Sequence, residues 1–370
     1  MEQKTQSIIT LVIVIAVIIG AVVLLEKNKP EVKTTPGQAS TIKTNNATKD
    51  MMHEPAKELV GIEGYINTDD TFNIQDLVGK QVVLVDFWTY SCINCKRTQP
   101  YLNDWQKKYG DKGLTIIGVH TPEFEFEKKI ANVQKAVTDE EITYPVVLDN
   151  NYATWQAYQN RYWPRKYLID INGFIVYDHI GEGAYDETEA KIQELLKERN
   201  IALGEDNESS EKIVKSTPEQ RKPISPETYF GASRNMTLAN GQPGVVGVQT
   251  FNEVTNLAQS SVPYLEGTWD IQEEYATNQN APASIKFKYQ GENVYFVASA
   301  DSETPKPVSV SVLRDGQLVL QNAGEDVENS TVNIKDERLY HLIQNDDGGE
   351  HTLELQIQKP GAHAFTFTFG

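Results

Sequence analysis

Cysteine is almost missing from this chain: among 370 residues there are two, Cys92 and Cys95, with only Ile93 and Asn94 between them. That scarcity removes most roles a C-x-x-C pair can play. A zinc site needs four ligands, usually a second C-x-x-C or a histidine pair at fixed spacing, and here the six histidines are scattered. A structural disulfide cross-links distant segments, whereas a bond closing so small a loop restricts the unfolded chain little. Basic residues are in deficit too, 34 Lys and Arg against 52 Asp and Glu, for a net charge of -18. No patch able to neutralise a run of phosphates fits that balance, so nucleic acid is excluded as a partner. Long hydrophobic runs are absent with one exception. Ile8 to Leu25, IITLVIVIAVIIGAVVLL, is about eighteen uncharged residues, close to what a membrane-spanning helix needs. No small-x-small cleavage site follows Ala21 and no cysteine follows the run, so residues 1-25 read as an uncleaved single transmembrane anchor. Lysines flank both sides of it, and orientation has to be argued from the rest of the chain.

What is present falls into segments of different kind. Residues 26-57 are rich in Lys, Thr, Asn, Pro and Gly and read as a flexible tether, and residues 201-224 read as a second linker. Between them, residues 58-200 alternate in type. Gln81 to Phe87 and Leu114 to His120 are continuous apolar runs, as in strands buried on both faces. Tyr101, Leu102, Trp105 and Tyr109 recur at helical spacing, as do Phe126, Ile130, Val133 and Val137, and later Ile192, Leu195 and Leu196. Lys166 to Ile180 places Asn172-Gly173 between two alternating runs, a hairpin signal. The expectation is an α/β domain: a mixed sheet of two parallel strands continued by an antiparallel hairpin, with helices on both faces. Residues 225-370 instead show short period-two runs, VSVSV at Val308 to Val312, TLELQIQ at Thr352 to Gln358 and AFTFTF at Ala364 to Phe369, with turns at Arg314 to Gln317 and Lys359 to Ala362. One stretch, Glu253 to Ala258, has helical character. This part is expected to be an all-β sandwich of jelly-roll type.

The cysteines follow a buried strand and open a helix, where free amide groups and the helix dipole stabilise a thiolate, and a redox dithiol is the reading that fits best. The surrounding stretch, VDFWTYSCINC from Val85 to Cys95, resembles the active-site segment of the thioredoxin superfamily. Asp86 lies six residues before Cys92, Pro100 eight after it, and Trp163-Pro164 falls just before the hairpin, where the superfamily has its cis-proline. The segments VHTPEFEFE, YATWQAYQNRYWPRKYLID, GEGAYDETE, SPETYFG, LEGTW, ERLYHLI and PGAHAFTFTFG are similar to the extracytoplasmic half of DipZ-type (cytochrome c biogenesis) proteins, in which a TlpA-like thioredoxin-like domain precedes a β-sandwich resembling a carbohydrate-binding module.

That resemblance implies an enzyme, a membrane-anchored thiol-disulfide oxidoreductase and most readily a disulfide reductase, held at the cell membrane with its bulk on the extracytoplasmic side. Cys92 would be the exposed nucleophile of lowered pKa and Cys95 the resolving partner. Asp86 would relay a proton beneath them; thioredoxins pair this aspartate with a lysine on the next strand, where this chain has Gly118. Pro164 would present the backbone of Trp163 to an extended substrate segment, with Trp163 and Trp88 beside the substrate. Lys96 and Arg97 would add positive potential or form a solvated face, and His120 and Glu123 would lie at a rim or in a strand-end loop. No cofactor or metal is implied. The implied partners are disulfide-containing proteins or small thiols, a separate CcdA-like membrane electron donor, and a glycan as a further candidate. Tyr264, Trp269, Tyr275 and Tyr289 would either stack on sugar rings or fill the sandwich core. Other readings are a glycan- or cell-wall-binding protein with a non-catalytic thioredoxin fold, a copper carrier, and a thiol peroxidase, suggested by Thr89-x-x-Cys92 but lacking a proline at Val85.

Overall fold

A computed structural model describes residues 53-205, 224-301, 307-344 and 347-370. The expected anchor, the tether up to residue 52 and the linker residues 206-223 lie outside the described residues. Among the described residues no helix is long and apolar enough to cross a membrane.

The first half runs β1 (Gly64–Ile66), β2 (Val82–Trp88), α1 (Ile93–Tyr109), β3 (Leu114–His120), α2 (Ile130–Asp139), β4 (Val146–Leu148), α3 (Ala153–Ala157), β5 (Arg165–Ile169), β6 (Ile175–Ile180) and α4 (Tyr185–Leu203). The strands form one sheet in the order β1-β4-β3-β2-β5-β6. β2, β3 and β4 are parallel; β5, β6 and β1 join antiparallel. Three parallel strands stand where two were expected, because β4 is only three residues long and shows no periodicity. β2 is central and buried at all seven positions, which is why its sequence is apolar without alternation. Leu102 and Trp105 of α1, Val133 and Val137 of α2, and Leu195 and Leu196 of α4 pack on the face that carries Leu84 and Ile116. The opposite face, with Val85, Phe87 and Val119, is covered by Tyr158, the short α3 and the loops around Leu59 and Leu77. Phe126, expected inside a helix, lies in a separate single turn, Glu125–Lys128, just before α2. Ile130, expected on the buried side of that helix, is half exposed.

The second half contains β7 (Thr228–Tyr229), β8 (Gly247–Phe251), β9 (Pro263–Ile271), β10 (Ala276–Asn278), β11 (Ala283–Gln290), β12 (Val294–Ala300), β13 (Val308–Arg314), β14 (Gln317–Leu318), β15 (Val327–Glu328), β16 (Thr331–Ile334), β17 (Arg338–Ile343), β18 (Glu350–Ile357) and β19 (Ala362–Phe369). Their order is β15-β16-β13-β18-β11-β9-β10-β19-β12-β17. The two layers are therefore one continuous β-rich near-barrel rather than the separate sheets of a sandwich, and β9 belongs to both. Its first residues pair with β11, and from Gly267 onward it pairs with β8 and β10. Gly267 has φ +93 and sits where a Cβ would meet Ala283 and Asn280 at 3.0 to 3.3 Å, so the corner requires glycine. The stretch Glu253 to Ala258 forms no helix; the Val254 amide donates to the Glu266 side chain of β9 at 2.6 Å.

AFTFTF is buried on both faces rather than one. Ala364, Phe367 and Phe369 fill the near-barrel core, while Phe365, with Tyr295, Val297 and Leu339, packs into the hydrophobic cluster of the first half. The outer face of β12, β17 and β19 is thus the docking face between the halves.

Candidate active site

Cys92 is the N-cap of α1, half-buried, and its Sγ accepts the Cys95 amide N–H at 3.3 Å. A helix start leaves amide donors without internal partners, and the Cys95 amide is one of these. Cys95 lies one turn inward and is buried, and the two thiols are unbridged. Burial, then the neighbouring Cys92 and Asp86, push the Cys95 thiol well above its ordinary pKa. Pro100 lies within α1.

Asp86 is sealed inside β2, and its Oδ1 has no hydrogen-bond partner among the described residues. Burial raises its carboxyl to about 7, against the pull of Lys166. Lys166 is the cation missing from β3. It stands opposite Asp86 across the antiparallel β2/β5 pair, is fully buried, donates to the Gly181 carbonyl at 3.1 Å, and has its own pKa lowered by burial. On the other side of Asp86, β3 presents Gly118, where a Cβ would stand 2.9 Å from Trp88 Nε1 and 3.2 Å from Tyr144. The lysine is on the neighbour opposite to the one expected, because the β3 position is occupied by those two rings.

The Trp163-Pro164 peptide is cis, Pro164 is buried, and Trp163 Nε1 donates to the Thr121 carbonyl at 3.0 Å while its ring lies 4.4 Å from that of Trp155. Trp163 lines the same groove as Cys92. Trp88 does not: it is buried, edge-on to the His120 ring at 5.1 Å. Its expected place beside the substrate is corrected, since β2 points it into the core. His120 is likewise no rim residue. It is fully buried, hydrogen-bonded to Thr89 at 3.4 Å, and its pKa falls to about 3 by burial. Lys96 is paired with Glu140 and Arg97 with Glu182, so neither charge is free. Among the described residues no group of three or more His, Cys, Asp or Glu side chains could hold a metal ion.

The groove over Cys92 has a volume of about 1000 Å³ and is walled by both halves: Asn94, Trp163 and Glu182 from the first, and Glu227, Tyr229 and Thr368 from the second. Tyr229 Oη lies 2.9 Å from carboxylate oxygens of both Glu123 and Glu227, to one of which it donates its proton, and Arg234 pairs with Glu123 at 2.7 Å. Glu123 is therefore a rim residue, as one of its two readings had it, and its partners come from the second half. Of the proposed sugar platforms, Tyr264, Trp269 and Tyr289 are core residues with no face open to a ligand, and Tyr275 is half-buried, stacked on His363 at 4.8 Å beside Phe365.

A dithiol at the start of a helix that follows a central parallel strand, with a buried carboxyl below and a cis-proline segment alongside, defines a thioredoxin-fold redox protein. The comparisons with known proteins are of the same kind. Residues 62–196 match the Redoxin family and residues 225–370 match the family described as thioredoxin like C-terminal domain. The chain is 37% identical over 318 residues to Protein DipZ of Mycobacterium tuberculosis, covering 85% of this chain and 43% of that protein. It is 31% identical over 122 residues to the thiol-disulfide oxidoreductase ResA of Bacillus cereus, covering 33% of this chain and 67% of ResA. YkuV of Bacillus subtilis, also a thiol-disulfide oxidoreductase, is 28% identical over 147 residues, 40% of this chain and 97% of YkuV. The chain belongs to the thiol-disulfide oxidoreductase family, and it spans less than half the length of the DipZ proteins it matches.

Proposed function

We propose that the chain is a thiol-disulfide oxidoreductase that reduces disulfides in protein substrates through Cys92 and Cys95. The observation that carries this reading is the asymmetry of the pair: Cys92 sits at a groove with its sulfur held by an amide N–H, and Cys95 is buried beside a carboxyl that has an unpartnered oxygen. The Cys92 thiolate attacks one sulfur of the substrate disulfide, and the other substrate sulfur leaves as a thiolate. Asp86 takes the proton of Cys95, whose thiol burial would otherwise keep neutral. Cys95 then attacks Cys92 Sγ, closing the Cys92–Cys95 disulfide and releasing the second substrate thiol, so that two electrons pass to the substrate. The backbone of Trp163, held by Pro164, offers an edge for an extended substrate segment, a short case of strand addition.

The same reading assigns residues 58-200 to the catalytic domain and 225-370 to a domain that walls the groove, with residues 1-25 as a membrane anchor that holds both on the extracytoplasmic side. Electrons would reach the dithiol from a CcdA-like membrane partner. Turnover in an insulin-reduction assay that disappears in Cys92→Ser supports this function, and stoichiometric Cu(I) binding without thiol exchange contradicts it.

A further inference from the structure

Close to the dithiol lies an enclosed acid that the exchange chemistry does not use. Glu127 is fully buried, and the hydrogen bonds to its side chain come from donors, the Thr89 hydroxyl among them. Oε1 accepts Ser91 Oγ–H at 2.6 Å and the Ser91 amide at 3.3 Å, and Oε2 accepts the amides of Glu123 at 2.5 Å and Phe124 at 3.0 Å. Donors on both oxygens suit a carboxylate, because a proton on either oxygen would point at a donor.

The carboxylate spans two segments. One is the Thr89 to Ser91 turn immediately before Cys92, which also receives the Cys92 amide on the Thr89 carbonyl at 3.3 Å. The other is the loop on which the second half rests. There Phe124 and Phe126 meet Phe365 at 5.2 and 4.8 Å, Glu123 holds Arg234 and Tyr229, and the Glu125 amide donates to Glu274 at 2.9 Å. Tyr90, in the turn itself, donates to the Glu337 carbonyl at 3.3 Å.

We propose that Glu127 is a positioning residue for the dithiol: it ties the turn that carries Cys92 to the loop that bears the C-terminal half, and so makes the docked C-terminal half part of the scaffold of the redox site. This rests on the reading of Cys92 as the nucleophile. The groups facing Glu127 fit the role. Glu123 lies near enough to oppose its charge, the phenols of Tyr90 and Tyr152 are held neutral by burial, and His120 stands uncharged behind Thr89. Burial and Glu123 lift Glu127 to about 7, so its bonds to the turn are complete only above that pH.

The test uses the full chain in a Cys95→Ser background, so that iodoacetamide alkylation reads Cys92 alone, measured from pH 5 to 9. Glu127→Gln retains shape but turns an amide nitrogen, which cannot accept, toward one pair of donors. Ser91→Ala removes one hydroxyl and keeps the test open if the glutamine variant fails to fold. Each is expected to change the high-pH alkylation rate by about threefold or more, and the double variant by no more than the larger single effect, as for two residues acting through one contact. Phe365→Ala is expected to alter the rate in the chain with Glu127 and to leave it unchanged in the Glu127→Gln chain. Rates equal to the parent's in both single variants, effects that multiply in the double variant, or a Phe365→Ala effect that persists without Glu127 would overturn the proposal. Alkylation reports on the sulfur and insulin reduction on turnover, so failure here is distinct from failure of the oxidoreductase reading.

Discussion

Replacing Asp86 by Asn is expected to stabilise the fold while it cripples exchange. Asp86 is buried within β2, its Oδ1 is unpartnered, and its carboxyl is raised to about 7, chiefly by burial. A folded-state pKa above the unfolded one means that the group favours folding most at low pH, where it is neutral in both states. That advantage is lost as pH rises from about 4 to about 7, and above pH 7 the folded protein holds a buried carboxylate. At about 1.36 kcal/mol per tenfold, a rise from 3.8 to about 7 corresponds to roughly 4 kcal/mol. This is an upper figure, because the variant leaves Lys166 without its counter-charge. Urea denaturation with the thiols kept reduced is expected to show Asp86→Asn more stable by roughly 2 to 4 kcal/mol at pH 8, with the gap closing toward pH 4. Insulin reduction at pH 8 is expected to fall by about 10²-fold, the scale of a lost general base. A variant less stable than the parent at pH 8, or a stability difference independent of pH, would show that Asp86 is not held as a strained buried acid.

Other perturbations follow from the same geometry. Lys166→Met removes the cation that holds the Asp86 carboxyl down, so the pH profile of insulin reduction is expected to shift to higher pH, with lower turnover at pH 7. Gly118→Ala drives a Cβ to 2.9 Å from Trp88 Nε1 and is expected to cost about 1–3 kcal/mol in urea unfolding, as overpacking does. Phe365→Ala empties the centre of the docking face and is expected to cost about 3–5 kcal/mol, with thermal unfolding by calorimetry separating into two transitions.

Much of the first half was legible because its strands and helices are long enough to show a period. Leu114 to His120 is a strand as expected, and Gln81 to Phe87 shifts by one residue to Val82–Trp88. β1, β4 and α3 are three to five residues long, too short for periodicity to mark them. The cysteine pair was legible from spacing, and Trp163-Pro164 from the resemblance to thioredoxins. Lys166 was not, since only the strand order brings β5 beside β2; the signal available was a lysine running directly into the apolar stretch Tyr167 to Ile169. Glu127 was hidden in the same way, in a loop whose alternating Glu and Phe residues resemble a solvated helix face. For the aromatics of the second half the sequence left sugar stacking and core packing both open, because a strand sequence does not say which side of a closed sheet is inside, and the burial of AFTFTF on both faces depends on a docking partner far away in the chain.

In the exchange proposed above, Cys92 attacks and Cys95 resolves. Trapping separates the two roles: a disulfide-bearing protein substrate is incubated with the Cys95→Ser chain and with the Cys92→Ser chain, and non-reducing mass analysis follows. A stable mixed disulfide through Cys92 is expected in the first and none through Cys95 in the second. A mixed disulfide formed equally by either cysteine, or by neither, would contradict it.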